Sequence, residues 1–127
     1  MLPGDRILVV EDDDDIREVV EEVLSSEGYR VDVAKDGIDA LGKLAGDETR
    51  PPLILLDMMM PRMDGETFLR ALRNRPFLAE APVVVISGNA AARDRANALH
   101  ATACLVKPFE LDELLGLVRS LSPPDRH

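Results

Sequence analysis

The chain has 127 residues, a net charge of −9, three Phe, one Tyr and no Trp. This length fits one domain over residues 1–127, and we expect a core from about 5 to 122 and a polar tail at 123–127. The acidic charge and few aromatic residues argue against direct binding to nucleic acid or to an anionic membrane. We find no signal-peptide pattern or membrane-length apolar run, and the single cysteine, Cys104, fits a reducing cytoplasm.

Five short apolar segments alternate with helical patterns along the chain. Strands are predicted at 6–10, 29–34, 51–57, 82–87 and 101–107, and helices at 14–27, 38–44, 68–72, 89–101 and 111–121. Asp14 or Asp15 is expected to cap the first helix, and Gly28 follows its end. Continuous apolar runs such as LILL and VVVI indicate strands that are buried on both faces. The alternation predicts an α/β fold with a parallel sheet covered by helices on both faces.

Polar residues stand where the predicted strands end. They are Glu11 and Asp12 after the first strand, Asp57 at the third, Ser87 at the fourth and Lys107 at the fifth. Ligand sites in open parallel sheets lie beyond the carboxyl ends of the strands, so we expect these side chains to converge. Three neighbouring carboxylates need a compensating cation to stay ionised, and Mg²⁺ favours carboxylate, water and phosphate oxygens. The pattern predicts a phosphoryl group on one acid, with Mg²⁺ and the lysine offsetting its charge.

Four segments in this order, ILVVEDDDDI, LILLDMMMPRMDG, VVVISG and LVKPFE, resemble the receiver domain of bacterial two-component response regulators. The resemblance covers about residues 5 to 122. It implies a flavodoxin-like (βα)5 fold, doubly wound, with strand order 2-1-3-4-5. It also implies a signalling switch, monomeric or dimerising on phosphorylation, that catalyses only its own phosphorylation and dephosphorylation. The implied partners are a sensor histidine kinase or histidine phosphotransfer protein, and a downstream protein target or an output domain outside this chain.

The resemblance also assigns roles to individual residues. Asp57 would be the phosphoryl acceptor. Asp12, Asp57 and the backbone carbonyl of Met59 would bind Mg²⁺, or Mn²⁺ in its place, and Glu11 would bind it through a water. Lys107 would pair with the acceptor carboxylate and then with the phosphoryl oxygens.

The remaining implied roles concern the switch. Ser87 would turn to hydrogen-bond a phosphoryl oxygen, and the surface of the fourth helix, fifth strand and fifth helix would change. Asp13 is placed at the rim of the site. Met59 and Asn89 would flank the path of the hydrolytic water, where an apolar Met59 would slow loss of the phosphoryl group. Cys104 stands where the family often has Tyr or Phe, and as a strand residue it is expected to be a buried small apolar side chain.

Other functions fit parts of the pattern. A Mg²⁺-dependent phosphatase with an Asp nucleophile normally has a second Asp two residues later, and that position is Met59. A nucleotide or flavin site needs a loop that attracts phosphate, whereas EDDDD repels it. The third alternative is a degenerate receiver that acts only as a docking module, although all five residues of the site are present.

Overall fold

The computed structural model describes residues 6–44, 53–58, 65–75, 81–88, 94, 101–107 and 109–121. Its centre is a sheet of five parallel strands in the order β2-β1-β3-β4-β5. The strands are β1 Arg6–Val10, β2 Arg30–Ala34, β3 Leu53–Asp57, β4 Val83–Ser87 and β5 Ala103–Val106. The predicted fold class and strand order are therefore confirmed.

The central strands β3 and β4 are buried along their whole length, and the edge strand β2 alternates between more and less exposed residues. This difference follows the sequence, because β3 and β4 are runs of aliphatic residues whereas β2 contains charged ones. Pairing aligns Asp57 with Ile86 and Ser87 with Val106. The polar ends of the three strands β3, β4 and β5 therefore lie at one edge of the sheet.

Within the described residues, four helices with defined bounds cover the sheet: α1 Asp14–Ser26, α2 Gly37–Leu44, α3 Gly65–Arg73 and α4 Leu111–Leu121. The predicted fourth helix, 89–101, lies outside the described residues apart from its helical residue Asp94 and the final Ala101, so α4 corresponds to the predicted fifth helix. In the part of the chain that is described, no helix is long and apolar enough to cross a membrane.

Each face of the sheet has its own apolar cluster. Phe68, Leu69 and Leu72 of α3 pack with the residues of α2 on one face. Val20 and Leu24 of α1 pack with the residues of α4 on the other. Neighbouring residues of one strand enter opposite clusters, as the two-residue period of a strand requires. The sheet is thus buried on both sides, as the apolar runs predict.

The cap of α1 differs from the prediction. Asp13, not Asp14 or Asp15, is the N-cap, with φ −77° and ψ 117°, and its carboxylate accepts a hydrogen bond from the Ile16 N–H. The carboxylate of Glu11, the residue that follows β1, accepts a hydrogen bond from the Asp13 N–H. This hydrogen bond fixes where the helix begins. Gly28 ends α1 with φ +97°, a conformation that glycine adopts without strain.

Candidate functional site

Three carboxylates meet at the carboxyl edge of the sheet. Glu11 follows β1 and Asp57 ends β3, and each is 3% exposed, whereas Asp12 is exposed. One oxygen from each of the three groups lies within 4.8 Å of the others. The structure therefore brings together the three acids that the strand ends suggested.

Lys107 directly follows the last residue of β5 and approaches this cluster from there. Its Nζ lies 3.6 Å from Asp57 Oδ2, and its backbone N–H donates a 2.8 Å hydrogen bond to the Ser87 carbonyl. The ion pair is longer than a charge-assisted hydrogen bond of about 2.7–2.9 Å. The ammonium group can therefore shift towards another anion near Asp57 without breaking a short bond.

The carboxyl group of Glu11 has a strongly raised pKa of about 8. Burial is the largest cause, followed by the hydrogen bond to Asp57 and its negative charge. The hydrogen bond from the Asp13 N–H, 3.2 Å from Oε2, and the charge of Lys107 act in the opposite direction. At neutral pH the Glu11 carboxyl group therefore holds a proton, which reduces the negative charge of the cluster as a bound cation would.

Arg17 anchors the backbone that carries these acids, a role that the sequence analysis missed. Its Nη1 donates a 2.9 Å hydrogen bond to the Glu11 carbonyl, and its guanidinium group pairs with Asp14. The Glu11 N–H also donates to the Ala34 carbonyl at 3.0 Å. The available signal was the i, i+3 spacing of Asp14 and Arg17, which is typical of a charge pair on a helix.

Gly65 fixes the other side of Asp57. Its N–H donates a 3.1 Å hydrogen bond to the Met58 carbonyl. A Cβ atom on Gly65 would lie 2.6 Å from both Cα and Sδ of Met58 and 3.1 Å from the Asp57 carbonyl oxygen. The first residue of α3 must therefore be glycine for the helix to pack against the residues that follow the acceptor strand.

The Ser87 side chain is fully buried, and its Oγ lies 3.7 Å from Cys104 Sγ. Cys104 packs as an apolar side chain but is only half-buried, so the expectation of a buried residue is wrong in its degree of burial. It is the second residue of β5 and packs against the apolar cluster beside α3. Its thiol also has a polar neighbour, the Ser87 hydroxyl.

Some predicted site residues cannot be placed. Met59 and Asn89 lie outside the described residues. The Met59 carbonyl as a metal ligand and the path of the hydrolytic water therefore stay predictions. Asp13 is exposed and borders the cluster through its N–H, while its carboxylate caps α1.

An apolar cavity of about 670 Å³ borders the acids between α1 and the start of α4. Ile16, Val19 and Leu111 line it and are among the exposed large apolar residues of the described chain. Glu11 and Lys107 form its polar end. The charged cluster is therefore flanked by apolar surface on the side of α1.

The donor atoms fit a small divalent cation. Carboxylate oxygens are hard ligands, and Mg²⁺ is typically bound by one or two carboxylates together with waters and phosphate oxygens. Asp12 is exposed and Asp57 buried, so a metal ion bound between them would have access to water on one side. The cluster contains no Cys or His, the residues that favour zinc.

Comparison with known proteins gives one consistent result. The family model described as the response regulator receiver domain matches residues 7–119. The response regulator MprA of Mycobacterium avium (strain 104) is 42% identical over 118 residues, which cover 91% of this chain and 50% of the relative. The chain thus spans about half the length of the curated relatives it matches.

Solved structures show the same similarity. The chemotaxis protein CheY4 of Vibrio cholerae has a TM-score of 0.82 and 30% identity, over 91% of this chain and 97% of that chain. The receiver domain of the sensor histidine kinase PA1611 of Pseudomonas aeruginosa has a TM-score of 0.81 and 30% identity, over 93% and 97%. That structure has a magnesium ion coordinated in its active-site cleft.

Proposed function

The chain belongs to the response regulator receiver domain family of two-component signalling, and from this premise we propose that Asp57 is its phosphoryl acceptor. The observation that carries the proposal is the surroundings of Asp57. It is a buried acid at the end of a central strand, close to two further carboxylates and 3.6 Å from the ammonium group of Lys107. Because the fold gathers these charged groups at one edge of the sheet, the edge is suited to binding a phosphoryl group together with a divalent cation.

The donor in this proposal is a phosphohistidine of a sensor histidine kinase or histidine phosphotransfer protein. An Asp57 carboxylate oxygen attacks phosphorus, the O–P bond forms as the P–N bond breaks, and the imidazole nitrogen keeps the electron pair. Lys107 stabilises the charge on the phosphoryl oxygens. The domain thus catalyses its own phosphorylation and, with water as the nucleophile, its own dephosphorylation.

The proposed metal is Mg²⁺, with Mn²⁺ able to replace it. Asp12, Asp57 and the backbone carbonyl of Met59 would hold the ion, and Glu11 would do so through a water. When bound, the ion would neutralise part of the negative charge that gathers around the transferred group. Met59 and Asn89, which follow the acceptor and Ser87 by two residues, would flank the path of the hydrolytic water, and the apolar Met59 would slow loss of the phosphoryl group.

The proposed output is a change of surface. Phosphorylation adds up to about two negative charges and new hydrogen-bond acceptors, which recruit the Ser87 hydroxyl. The equilibrium between two existing conformations then shifts at residues 89–101, β5 and α4. We propose that this surface acts, in the cytoplasm, on a downstream protein or on an output domain outside this chain, because the curated relatives are about twice as long.

The test is intact mass spectrometry after incubation with acetyl phosphate and Mg²⁺. The wild-type chain should gain one phosphoryl group, and Asp57→Asn should gain none. Asp36→Asn is the matched control, because Asp36 is also a buried acid, 2% exposed, but lies at the start of α2 outside the cluster. That variant should be labelled like the wild type.

Three results would contradict the proposal. They are equal labelling of the Asp57→Asn protein, labelling of the wild type that does not change when the divalent ion is removed, and continuous release of phosphate without a labelled protein. The last result would favour the phosphatase alternative.

A further inference from the structure

Arg17 occupies a position of α1 where the helical pattern favours an apolar residue. It precedes the buried Val20 and Leu24 by three and seven residues, so the three side chains share one face of the helix. The Arg17 side chain is only 20% exposed, whereas that of its ion-pair partner Asp14 is 85% exposed. Burial of a charged group costs free energy unless hydrogen bonds compensate, so the bonds of this guanidinium group have to account for its position.

The guanidinium group of Arg17 binds two acceptors. Nη1 donates a 2.9 Å hydrogen bond to the backbone carbonyl of Glu11, and Nη2 binds the Asp14 carboxylate. The fixed fork of a guanidinium group lets one side chain make both bonds. An ion pair with an acid as exposed as Asp14 contributes little by itself, so the bond to the Glu11 carbonyl is the one that accounts for a half-buried arginine here.

The Glu11 carbonyl belongs to the peptide group that joins Glu11 to Asp12. This group is planar, so a bond that fixes the carbonyl also fixes the direction in which the chain enters Asp12. On the other side of Glu11, its N–H donates a 3.0 Å hydrogen bond to the Ala34 carbonyl of β2. The Glu11 backbone is therefore held at both ends. Asp12 is exposed, so its backbone rather than its packing determines where its carboxylate lies.

We propose that Arg17 is a positioning residue that holds Asp12 where it binds the divalent cation; this inference rests on the proposed function, in which Asp12 is a metal ligand. Replacing a group that orients a metal ligand without touching the metal typically weakens metal binding by about 10–100-fold. Arg17 acts through one hydrogen bond to the backbone. We therefore expect the lower end of this range, about tenfold.

The charge of Arg17 gives the prediction a definite sign. A guanidinium group repels a divalent cation, so removal of the charge alone would tighten Mg²⁺ binding. Removal also leaves the Asp14 carboxylate without its ion pair, which would attract the cation further. Loss of positioning has the opposite effect. A weaker affinity in a variant without the guanidinium group therefore reports the position of Asp12 and not the change in charge.

The experiment measures the Mg²⁺ dissociation constant of the full chain by amide NMR titration. Arg17→Met and Arg17→Gln should each bind Mg²⁺ about tenfold more weakly than the wild type, and either variant suffices if the other does not fold. Arg17→Lys keeps the charge and one donor and should recover part of the loss. Arg70→Met is the matched control, because Arg70 also pairs with an acid of its own helix, Glu66 at 3.0 Å, and it should leave the constant unchanged.

A second readout separates positioning from a merely structural role. In the metal-free protein the carbonyl carbon resonance of Glu11 should move in Arg17→Met and Arg17→Gln, because its hydrogen bond is lost, while the carbonyl resonances of β4 should not. A merely structural role predicts lower resistance to urea with an unchanged dissociation constant. That result would overturn the proposal, as would tighter binding in both variants, a loss in Arg17→Lys as large as in Arg17→Met, or a similar loss in Arg70→Met.

Failure of the proposed function gives a different result. If Asp57 is not the acceptor, acetyl phosphate does not label the wild type, whatever its affinity for Mg²⁺. If the wild type does not bind Mg²⁺, or Asp12→Asn binds it equally well, the metal site and this inference are both wrong. Labelling of Asp57 together with Mg²⁺ binding that depends on Asp12 but not on Arg17 would remove this inference alone.

Discussion

Leu56 and Asp57 are neighbours in β3 and almost equally buried, but they belong to different kinds of surroundings. Leu56 is 0% exposed and packs in the cluster that contains Phe68. Asp57 is 3% exposed and lies against carboxylates and an ammonium group. Burial of the leucine stabilises the fold, whereas burial of the aspartate costs free energy unless a cation or hydrogen bonds compensate. Within one residue the strand changes from supporting the fold to supporting the site.

The largest expected effect is a difference in the free energy of unfolding between variants of Leu56 and Asp57. Leu56→Ala should lower the free energy of unfolding by about 2–5 kcal/mol, because it removes buried methyl groups and leaves a cavity. Asp57→Asn should change it by less than about 1 kcal/mol, since the loss of the Lys107 ion pair is offset by relief of charge crowding. Urea denaturation without divalent ions measures both. A loss in Asp57→Asn as large as that in Leu56→Ala would refute the distinction.

The second effect is the pH dependence of stability and of Mg²⁺ affinity that the Glu11 carboxyl group causes. Glu11 has a pKa of about 8 in the folded chain and an ordinary value near 4.5 otherwise, so the metal-free fold binds the extra proton and loses stability as pH rises through this window. A cation bound near Asp12 and Asp57 would displace that proton. Mg²⁺ affinity should therefore rise by up to about tenfold per pH unit between pH 6 and 8, and level off above the pKa.

Isothermal titration calorimetry in two buffers of different ionisation enthalpy measures the affinity and the released proton together. Glu11→Gln is the matched variant, because it keeps the shape of the side chain and cannot titrate. In that variant the affinity should depend much less on pH. An unchanged pH profile would assign the proton to another group.

The third effect lies where the site meets the apolar core. Gly65→Ala places a Cβ atom 2.6 Å from the Met58 backbone, and we expect a loss of about 1–3 kcal/mol of stability together with slower phosphorylation. Gly42→Ala is the control, because a Cβ there meets nothing within 4 Å inside α2. It should stabilise the chain by about 0.5–1 kcal/mol. Thermal unfolding and the labelling assay compare the two variants, and equal behaviour would show that the close approach is not needed.

The smallest effect tests the corrected helix cap. Asp13→Ala removes the acceptor of the Ile16 N–H and should cost about 1 kcal/mol, whereas Asp13→Asn retains a good cap and should cost less. Asp14→Ala should behave like a surface substitution on the helix. If Asp14→Ala were the costlier change in chemical denaturation, the original prediction of the cap would be restored.

The strand bodies and their polar ends could be predicted from the sequence for a physical reason. Runs such as LILL and VVVI leave no polar side to face water, so they had to be buried between helices. Parallel connections then bring the carboxyl ends of the strands to one edge, so the sequence alone predicts that Asp57, Ser87 and Lys107 lie together.

Two features could not be predicted. In a run of five carboxylates every position has a similar tendency to cap a helix, and Asp13 is selected by backbone geometry and by the bond from its N–H to Glu11. The contact of Cys104 with Ser87 depends on the register of β4 and β5. A slip of two residues keeps the same side chains on the same faces, so periodicity carries no information about which register forms.

The position of β4 between β3 and β5 has a consequence for the length of the Lys107 side chain. Neighbouring strands are about 4.8 Å apart, so Lys107 extends across a gap of roughly twice that width to come within 3.6 Å of Asp57. Its four-carbon stem allows this, and a shorter basic side chain at position 107 would fall short whatever its charge. The spacing of the sheet thus sets a minimum length for the residue that neutralises the acceptor.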